Sequence, residues 1–183
     1  FFIAKEKAYY IDNYNFTRKE LDKSITQEAL AMIIPYANST VVYSEKWHKG
    51  VVGIVASRLI ETHYRPTIVL TESNGKLTGS ARSVSGFDVY NAIDACSDLL
   101  EQFGGHKYAA GLTLKKENLT AFIQRFEEVV STTITAEMQI PRINIDLEMS
   151  IEDITLKTYR IIEQMAPFGP SNSRPVFITK GVI

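Results

Sequence analysis

Three short segments of this chain combine glycine with residues able to hold an anion. Trp47-His48-Lys49-Gly50 runs directly into an apolar stretch beginning Val51-Val52-Gly53. A helix starting there would present unpaired N–H groups and a partial positive charge, with Lys49 and His48 adding to it. The competing structural reading has Trp47 capping the core and His48 satisfying a backbone carbonyl, since a single glycine before a helix is common. Thr78-Gly79-Ser80-Ala81-Arg82-Ser83 places small residues inside a strand pattern, which marks the close approach of another backbone or of a ligand. Arg82 suits bidentate contact with phosphate, although a close-packed sheet with a surface arginine fits the same spacing. In Phe103-Gly104-Gly105-His106-Lys107-Tyr108-Ala109-Ala110-Gly111, paired glycines after a helix would allow positive φ, and a Schellman ending accounts for only one of them. His106 on such a turn can donate to phosphate or stack on a base, beside the side-chain-poor wall of Ala109-Ala110-Gly111.

A catalytic engine is missing. His48, His63 and His106 are spread along the chain, without His-x-x-x-His, Cys-x-x-Cys or Asp-x-Asp spacing, so no metal site is expected. Asp94 and Asp98, four apart, read as a solvated helix face. Cys96 falls on an apolar stripe and reads as core. Ser80 and Ser83 near His106 would suit a hydrolase, yet no acid stands behind the histidine and there is no Gly-x-Ser-x-Gly elbow.

The composition is that of an ordinary globular protein: 183 residues, 45% hydrophobic and 22% charged, which excludes disorder, collagen and coiled-coil arrays. Apolar runs such as Ile68-Val69-Leu70 are far too short to span a membrane. No signal peptide is visible, and a lone cysteine makes a reducing cytoplasm the default compartment. The net charge of −1 gives no global attraction to nucleic acid, so any such function needs a local patch. Lys46 to Arg82 holds six basic residues against Glu61 and Glu72, whereas Glu117 to Glu163 holds nine acidic residues against four basic ones. An anion belongs in the first half. Phe1 in place of Met, and a final Pro175-Val176-Phe177-Ile178 that reads as a strand cut off near its beginning, mark the sequence as a piece of a longer protein.

The elements that must position these residues are legible from periodicity. Thr17-x-x-Glu20 reads as a capping box opening a helix with Leu21, Ile25, Ala29, Met32 and Ile33 on one stripe, stopped by Pro35. Tyr9 to Phe16 before it reads as a loop or frayed strand. Residues 40–133 then form one α/β unit. Val41-Val42-Tyr43 is a strand, a helix follows from about Gly50, and Thr67-Ile68-Val69-Leu70 is a buried central strand. Asn74-Gly75 turns that strand into Lys76–Arg82. Asp88 caps a helix carrying Ile93, Cys96, Leu99, Leu100 and Phe103. Ala110–Leu114 is a strand, and Asn118 caps a last helix. The order β-α-β-β-α-β-α predicts a mixed β-sheet flanked by helices. Further on, Ile143, Ile145 and Leu147 alternate as a half-buried strand, and Ser150-x-x-Asp153 caps a helix to about Met165.

Together the three glycine-bearing segments resemble the DHH-associated domain of RecJ-type single-strand-specific exonucleases. Pro167-Phe168-Gly169-x-x-Asn172-x-x-Pro175-Val176-Phe177 resembles the segment leading into the oligonucleotide-binding-fold (OB) domain of the same enzymes, with Ala166, Ser171 and Ser173 departing from its usual glycines and proline. The resemblance implies a connector from the catalytic domain over residues 1–37, a substrate-binding domain over 38–135, and the truncated start of an OB-like domain over 136–183. It implies a metal-dependent 5′→3′ exonuclease of DNA repair and recombination. Two divalent metals, Mn2+ or Mg2+, would be held by Asp and His residues upstream of this sequence and would activate a water for phosphodiester hydrolysis. The chain alone would then be inactive. Carried over by motif, Ser80 and Arg82 would hold a phosphate, and His106 with the Gly104-Gly105 backbone would contact the nucleotide at or beside the scissile phosphate. Trp47, His48 and Gly50 would organise the cleft wall. The implied partner is single-stranded DNA, with no membrane, a monomeric protein, and contact with a single-strand-binding protein left open. Alternatives are a DHH phosphodiesterase for short oligonucleotides or cyclic dinucleotides, a non-catalytic nucleic-acid- or protein-binding module, and an alanyl-tRNA synthetase-type appendage, which would share the Gly-Gly-His element but not the Trp47-His48 segment.

Overall fold

Asn74 and Gly75 adopt φ of 55° and 73°, the pair of left-handed residues that a two-residue hairpin requires. They join β2 (Thr67–Ser73) to β3 (Lys76–Arg82) in a computed structural model describing residues 2–182. Around this hairpin stand α1 (Phe2–Ala31), β1 (Thr40–Tyr43), α2 (Val52–Thr62), α3 (Val89–Asp94), β4 (Gln102–His106), β5 (Ala109–Leu114) and α4 (Leu119–Thr133). The five strands form one mixed sheet in the order β1-β2-β3-β5-β4, with β1 parallel to β2 and the other pairs antiparallel. The α/β reading of the sequence is therefore correct. The chain divides into two compact units between residues 141 and 142. None of the described helices is long and apolar enough to cross a membrane.

Strand alternation sends side chains to two cores. Ile68, Leu70, Leu77 and Ala81 meet Ile93, Phe122 and Phe126 from α3 and α4 on one face. Val42 and Val69 meet Val52, Val55 and Leu59 of α2 on the other, where Ile25 and Ala29 of α1 join them.

Several expected elements differ. Tyr9 to Phe16 is helical, continuous with the rest of α1. Thr17 is no cap: its hydroxyl donates to the Asn13 carbonyl one turn back at 3.0 Å, a bond that a helix interior accommodates. The buried stripe of α1 is Asp22, Ile25 and Ala29, while Leu21 and Met32 are exposed. A buried aspartate hid this face from hydropathy, and it is there to bind Arg58. The helix expected from Asp88 through Phe103 ends at Asp94. Asp88 does cap it, accepting the Asn91 N–H at 3.0 Å. Beyond it lie a single 3-10 turn, Ser97–Leu99, and then β4. Phe103, Gly104 and Gly105 therefore belong to an edge strand rather than a helix end, and the expected element order lacked β4. Asn118 precedes α4 but donates its side chain to the Leu99 carbonyl at 2.9 Å, tying the loop instead of capping the helix.

In the second unit, β6 (Leu147–Glu148) pairs in parallel with β7 (Phe177–Ile178), and this is its whole described sheet. Ile143 and Ile145 lie outside it and are exposed, and no described strand pairs with them. Ser150 donates to the Asp153 carboxylate within a 3-10 turn. The helix that follows, α5 (Leu156–Glu163), is capped instead by Thr155, which accepts the Thr158 N–H at 3.2 Å.

Candidate nucleic-acid interface

Residues directly opposed across antiparallel strands share a face, so the register of β2, β3, β5 and β4 writes side chains into rows. One row is Thr67, Arg82, Ala109 and His106; the next is Val69, Ser80, Gly111 and Gly104; a third is Thr71, Thr78, Thr113 and Gln102. All three lie on the face that α2 covers over β2 and β3. Beyond α2 the floor is open: Gly111 and Gly104 are exposed, and a Cβ on Gly104 would meet nothing. Arg82 and His106, 24 positions apart in the chain, stand only two strand spacings apart, about 10 Å.

Arg82 is seated by its surroundings. Its Nη1 donates to Ser80 Oγ and to the Ala81 carbonyl, each at 2.8 Å. Its Nη2 lies against the first turn of α2, 2.9 Å from where a Cβ on Gly53 would stand. It makes no ion pair with any described residue, and partial burial pushes its pKa down. A partly desolvated guanidinium beside the first turn of a helix, with no carboxylate partner among the described residues, is available to an external anion. The other basic residues of this half divide in two. Arg58 pairs with buried Asp22 at 2.8 Å, Lys76 pairs with Glu101 at 2.6 Å, and Arg65 donates to the carbonyls of Ile34, Pro35 and Ala37. Those three are committed to partners within the domain. Lys46, Lys49 and Arg82 are left without an acidic partner among the described residues.

His106 ends β4, exposed, with Nδ1 accepting the Tyr108 N–H at 3.2 Å. In the neutral ring that leaves Nε2–H as an outward donor. Lys107 and half-exposed Tyr108 form the tip beside it, the ammonium 5.7 Å from the ring centre. Gly104 shares the open face with His106, but Gly105 does not: it pairs with Ala110 on the opposite face. A Cβ there would lie 2.5 Å from Ala110 Cα, so this glycine lets β4 close against β5. Gly79 has a similar reason, since a Cβ would lie 2.5 Å from the Val69 carbonyl oxygen. The close approach that its strand pattern signalled is that of a neighbouring backbone.

Trp47 is buried among Ile25, Ala29 and Val51 rather than exposed on the open face. Its indole N–H donates to Glu28 of α1 at 2.9 Å, and its carbonyl accepts from Thr71 at 2.6 Å. His48 accepts the Gly50 N–H at 3.1 Å, so it satisfies an amide and not the carbonyl that the structural reading supposed. Gly50 folds against that ring, at 3.0 Å from a would-be Cβ. Sequence reasoning missed two participants. The motif spacing assigns Gly53 no role and makes Gly111 only part of a wall. The signal available was, for Gly53, a glycine between the large apolar Val52 and Ile54 and, for Gly111, its place in a run of small residues. Among the described residues no three His, Cys, Asp or Glu side chains cluster as potential metal ligands. Cys96 is buried, its thiol pushed up to about 11 by desolvation, and it is no nucleophile.

Comparison with known proteins shows the family of the chain. Residues 34–132 match the DHHA1 domain family and residues 145–183 match the RecJ OB domain. The single-stranded-DNA-specific exonuclease RecJ of Bacillus subtilis strain 168 is 38% identical over 100% of this chain and 24% of its own length. That of Escherichia coli K12 is 31% identical over 95% of this chain and 32% of its own. The chain thus spans about a quarter to a third of these curated relatives. Among solved structures, RecJ in complex with Mg2+ from Thermus thermophilus superimposes with a TM-score of 0.79 at 27% identity, over 92% of this chain and 26% of that one. Exonuclease RecJ bound to manganese gives a TM-score of 0.61 at 29% identity, over 72% and 34%. The DHHA1 match alone takes in more than half of the residues, and the chain belongs to the DHHA1 domain family, followed in sequence by a RecJ OB segment.

Proposed function

We propose that this chain is the substrate-gripping part of a RecJ-type 5′→3′ single-strand-specific exonuclease of DNA repair and recombination. The observation that carries the reading is the row shared by Arg82 and His106, with Ser80 beside Arg82 at the edge of α2 and Gly104 beside His106 where the face is open. Arg82, steadied by Ser80, holds a phosphate, and the outward Nε2–H of His106 donates to the neighbouring phosphate or its nucleotide. Gly104, which shares the open face with His106, lets the strand approach closely, while Gly105 holds β4 against β5. Trp47 and Glu28 set the connector helix against this domain, and His48 with Gly50 shapes the start of α2. Residues 1–37 serve as the connector, 38–135 as the binding domain and 136–183 as the beginning of an OB-like domain. The whole protein works as a monomer in the cytoplasm, and its Mn2+ or Mg2+ is bound outside this chain, which by itself does not hydrolyse DNA. The RecJ relatives, and the Mg2+ and manganese in the solved RecJ structures, support this assignment.

The test is fluorescence anisotropy of a 5′-phosphorylated single strand titrated with the chain at several salt concentrations. Phosphate contacts carry no sequence information, so Arg82→Ala and His106→Ala should weaken binding to all sequences alike. Arg82→Ala should also flatten the dependence of log K on log salt by roughly 0.7. A folded Arg82→Ala with an unchanged slope would return Arg82 to a structural role.

A further inference from the structure

The open face does not stop at the row of Arg82 and His106. Resting on the reading above, we propose that the strand continues across Gly111 and Gly104 into a second subsite. Thr78, Thr113 and Gln102 form its floor, and Lys49 neutralises the next phosphates.

The register makes the path continuous, because the third row lies on the same face and follows the second directly. The first row and the third are four residue steps apart along β3, a run of about 13 Å. A stacked strand advances about 3.4 Å per nucleotide, so the track is longer than a single nucleotide can fill. On β5 and β4 its middle carries no side chains, since Gly111 and Gly104 are exposed glycines; the Ser80 hydroxyl in the same row on β3 is engaged by Arg82. A depression of about 330 Å³ lies over Thr78, Gln102, Gly104, Gly111 and Thr113. A neighbouring one of about 660 Å³ shares Thr78, Gln102 and Thr113 and extends to Lys49 and Asn74.

The chemistry of this end suits a phosphodiester strand better than a small apolar ligand. The Thr113 hydroxyl and the Gln102 amide have no hydrogen-bond partner among the described residues, and each can both donate and accept. Such groups hold sugar, phosphate or base edges without demanding a sequence. Lys76 is committed to Glu101 at 2.6 Å, whereas Lys49 makes no ion pair with any described residue. Glu101 and Lys76 also line this depression and neutralise each other, which leaves the Lys49 ammonium available to a phosphate next in line. Arg82 and Lys49 thus mark the two ends of one track, separated by a floor with almost no relief.

Two 3′-labelled 5′-phosphorylated probes, a thymidine trinucleotide and a dodecamer, separate the two ends. Each is titrated by anisotropy against wild type, Arg82→Ala, Thr113→Glu and Lys49→Glu, with a thermal melt on every variant. Arg82→Ala should weaken both probes. Thr113→Glu and Lys49→Glu should weaken the dodecamer about tenfold or more, the effect of setting a carboxylate against phosphate, and leave the trinucleotide nearly unchanged. Thr113 lies in a strand, and Lys49→Glu in the loop before α2 carries the same reading if Thr113→Glu does not fold. A dodecamer affinity that falls with Arg82→Ala but not with either glutamate variant would end the track at the first two rows, overturning the second subsite alone. Affinities indifferent to Arg82→Ala, or no binding by folded wild type, would overturn the grip and the subsite together.

Discussion

Gly53 offers a way to move Arg82 without touching it. It is the second residue of α2, and a Cβ there would stand 2.9 Å from Arg82 Nη2 and 3.1 Å from Ser80 Oγ. Both obstacles are ends of side chains, so Gly53→Ala is accommodated by swinging the guanidinium aside, with no backbone shift. Alanine is favoured over glycine within a helix by up to about 1 kcal/mol, and this offsets the loss of the Arg82–Ser80 hydrogen bond, itself about 1 kcal/mol. The melting temperature should therefore stay near that of wild type. Binding should not. A charge-assisted hydrogen bond contributes roughly 1.5–3 kcal/mol, or about 10- to 150-fold in affinity, and a displaced but intact arginine should lose the lower end of that range. The assay pairs a urea melt with anisotropy on a 5′-phosphorylated strand, using Arg82→Ala as the limiting case. Wild-type affinity in a folded Gly53→Ala would refute the idea that the observed seat of Arg82 is its binding position. A large loss of stability would refute the claim that only side-chain ends stand in the way.

Three further outcomes follow from the packing. Gly79→Ala meets backbone, the Val69 carbonyl at 2.5 Å, so overpacking should lower stability by about 1–3 kcal/mol in denaturant melts. Asp22→Ala removes the carboxylate that holds Arg58 at 2.8 Å. The cost should be about 1–2 kcal/mol, below the range for fully buried pairs because the half-exposed Arg58 stays hydrated, and emission from Trp47, the chain's single tryptophan, should shift as α1 loosens. The buried Cys96 thiol is raised from 9.0 to about 11. The unfolded chain releases that proton first, so stability is unaffected below pH 9 and falls between pH 9 and 11, by about 2–3 kcal/mol in all. Comparing the pH dependence of urea melts for wild type and Cys96→Ala isolates this term, and identical slopes would contradict the burial argument.

How much was legible beforehand depended on the reach of the interactions involved. The Asn74-Gly75 turn, the Asp88 cap, the apolar stripes of α2 and α4 and the buried β2 are set by residues within a few positions of one another, and all were readable. The strand identity of Phe103 to His106 was not, because its hydrogen-bonding partner is β5 and nothing local forbids a helix through Leu99. The same holds for Asp22, a polar residue on the buried face of α1 whose partner lies 36 positions away, and for Ile143 and Ile145, whose alternation meets no described strand.

The candidate site divides along the same line. By itself the sequence determined which residue types are available: an arginine after small residues, a histidine after paired glycines, and a cluster of basic residues in one half of the α/β unit. These are properties of composition and short-range order. Only the tertiary structure decided that Arg82 and His106 share a row, that Gly105 and Gly79 serve neighbouring strands, and that Arg58, Arg65 and Lys76 are committed to partners within the domain while Arg82 and Lys49 have no acidic partner among the described residues. The reason is that antiparallel register assigns each residue to a face through hydrogen bonds to another strand. Shifting that register by one position would send Arg82 to the opposite side.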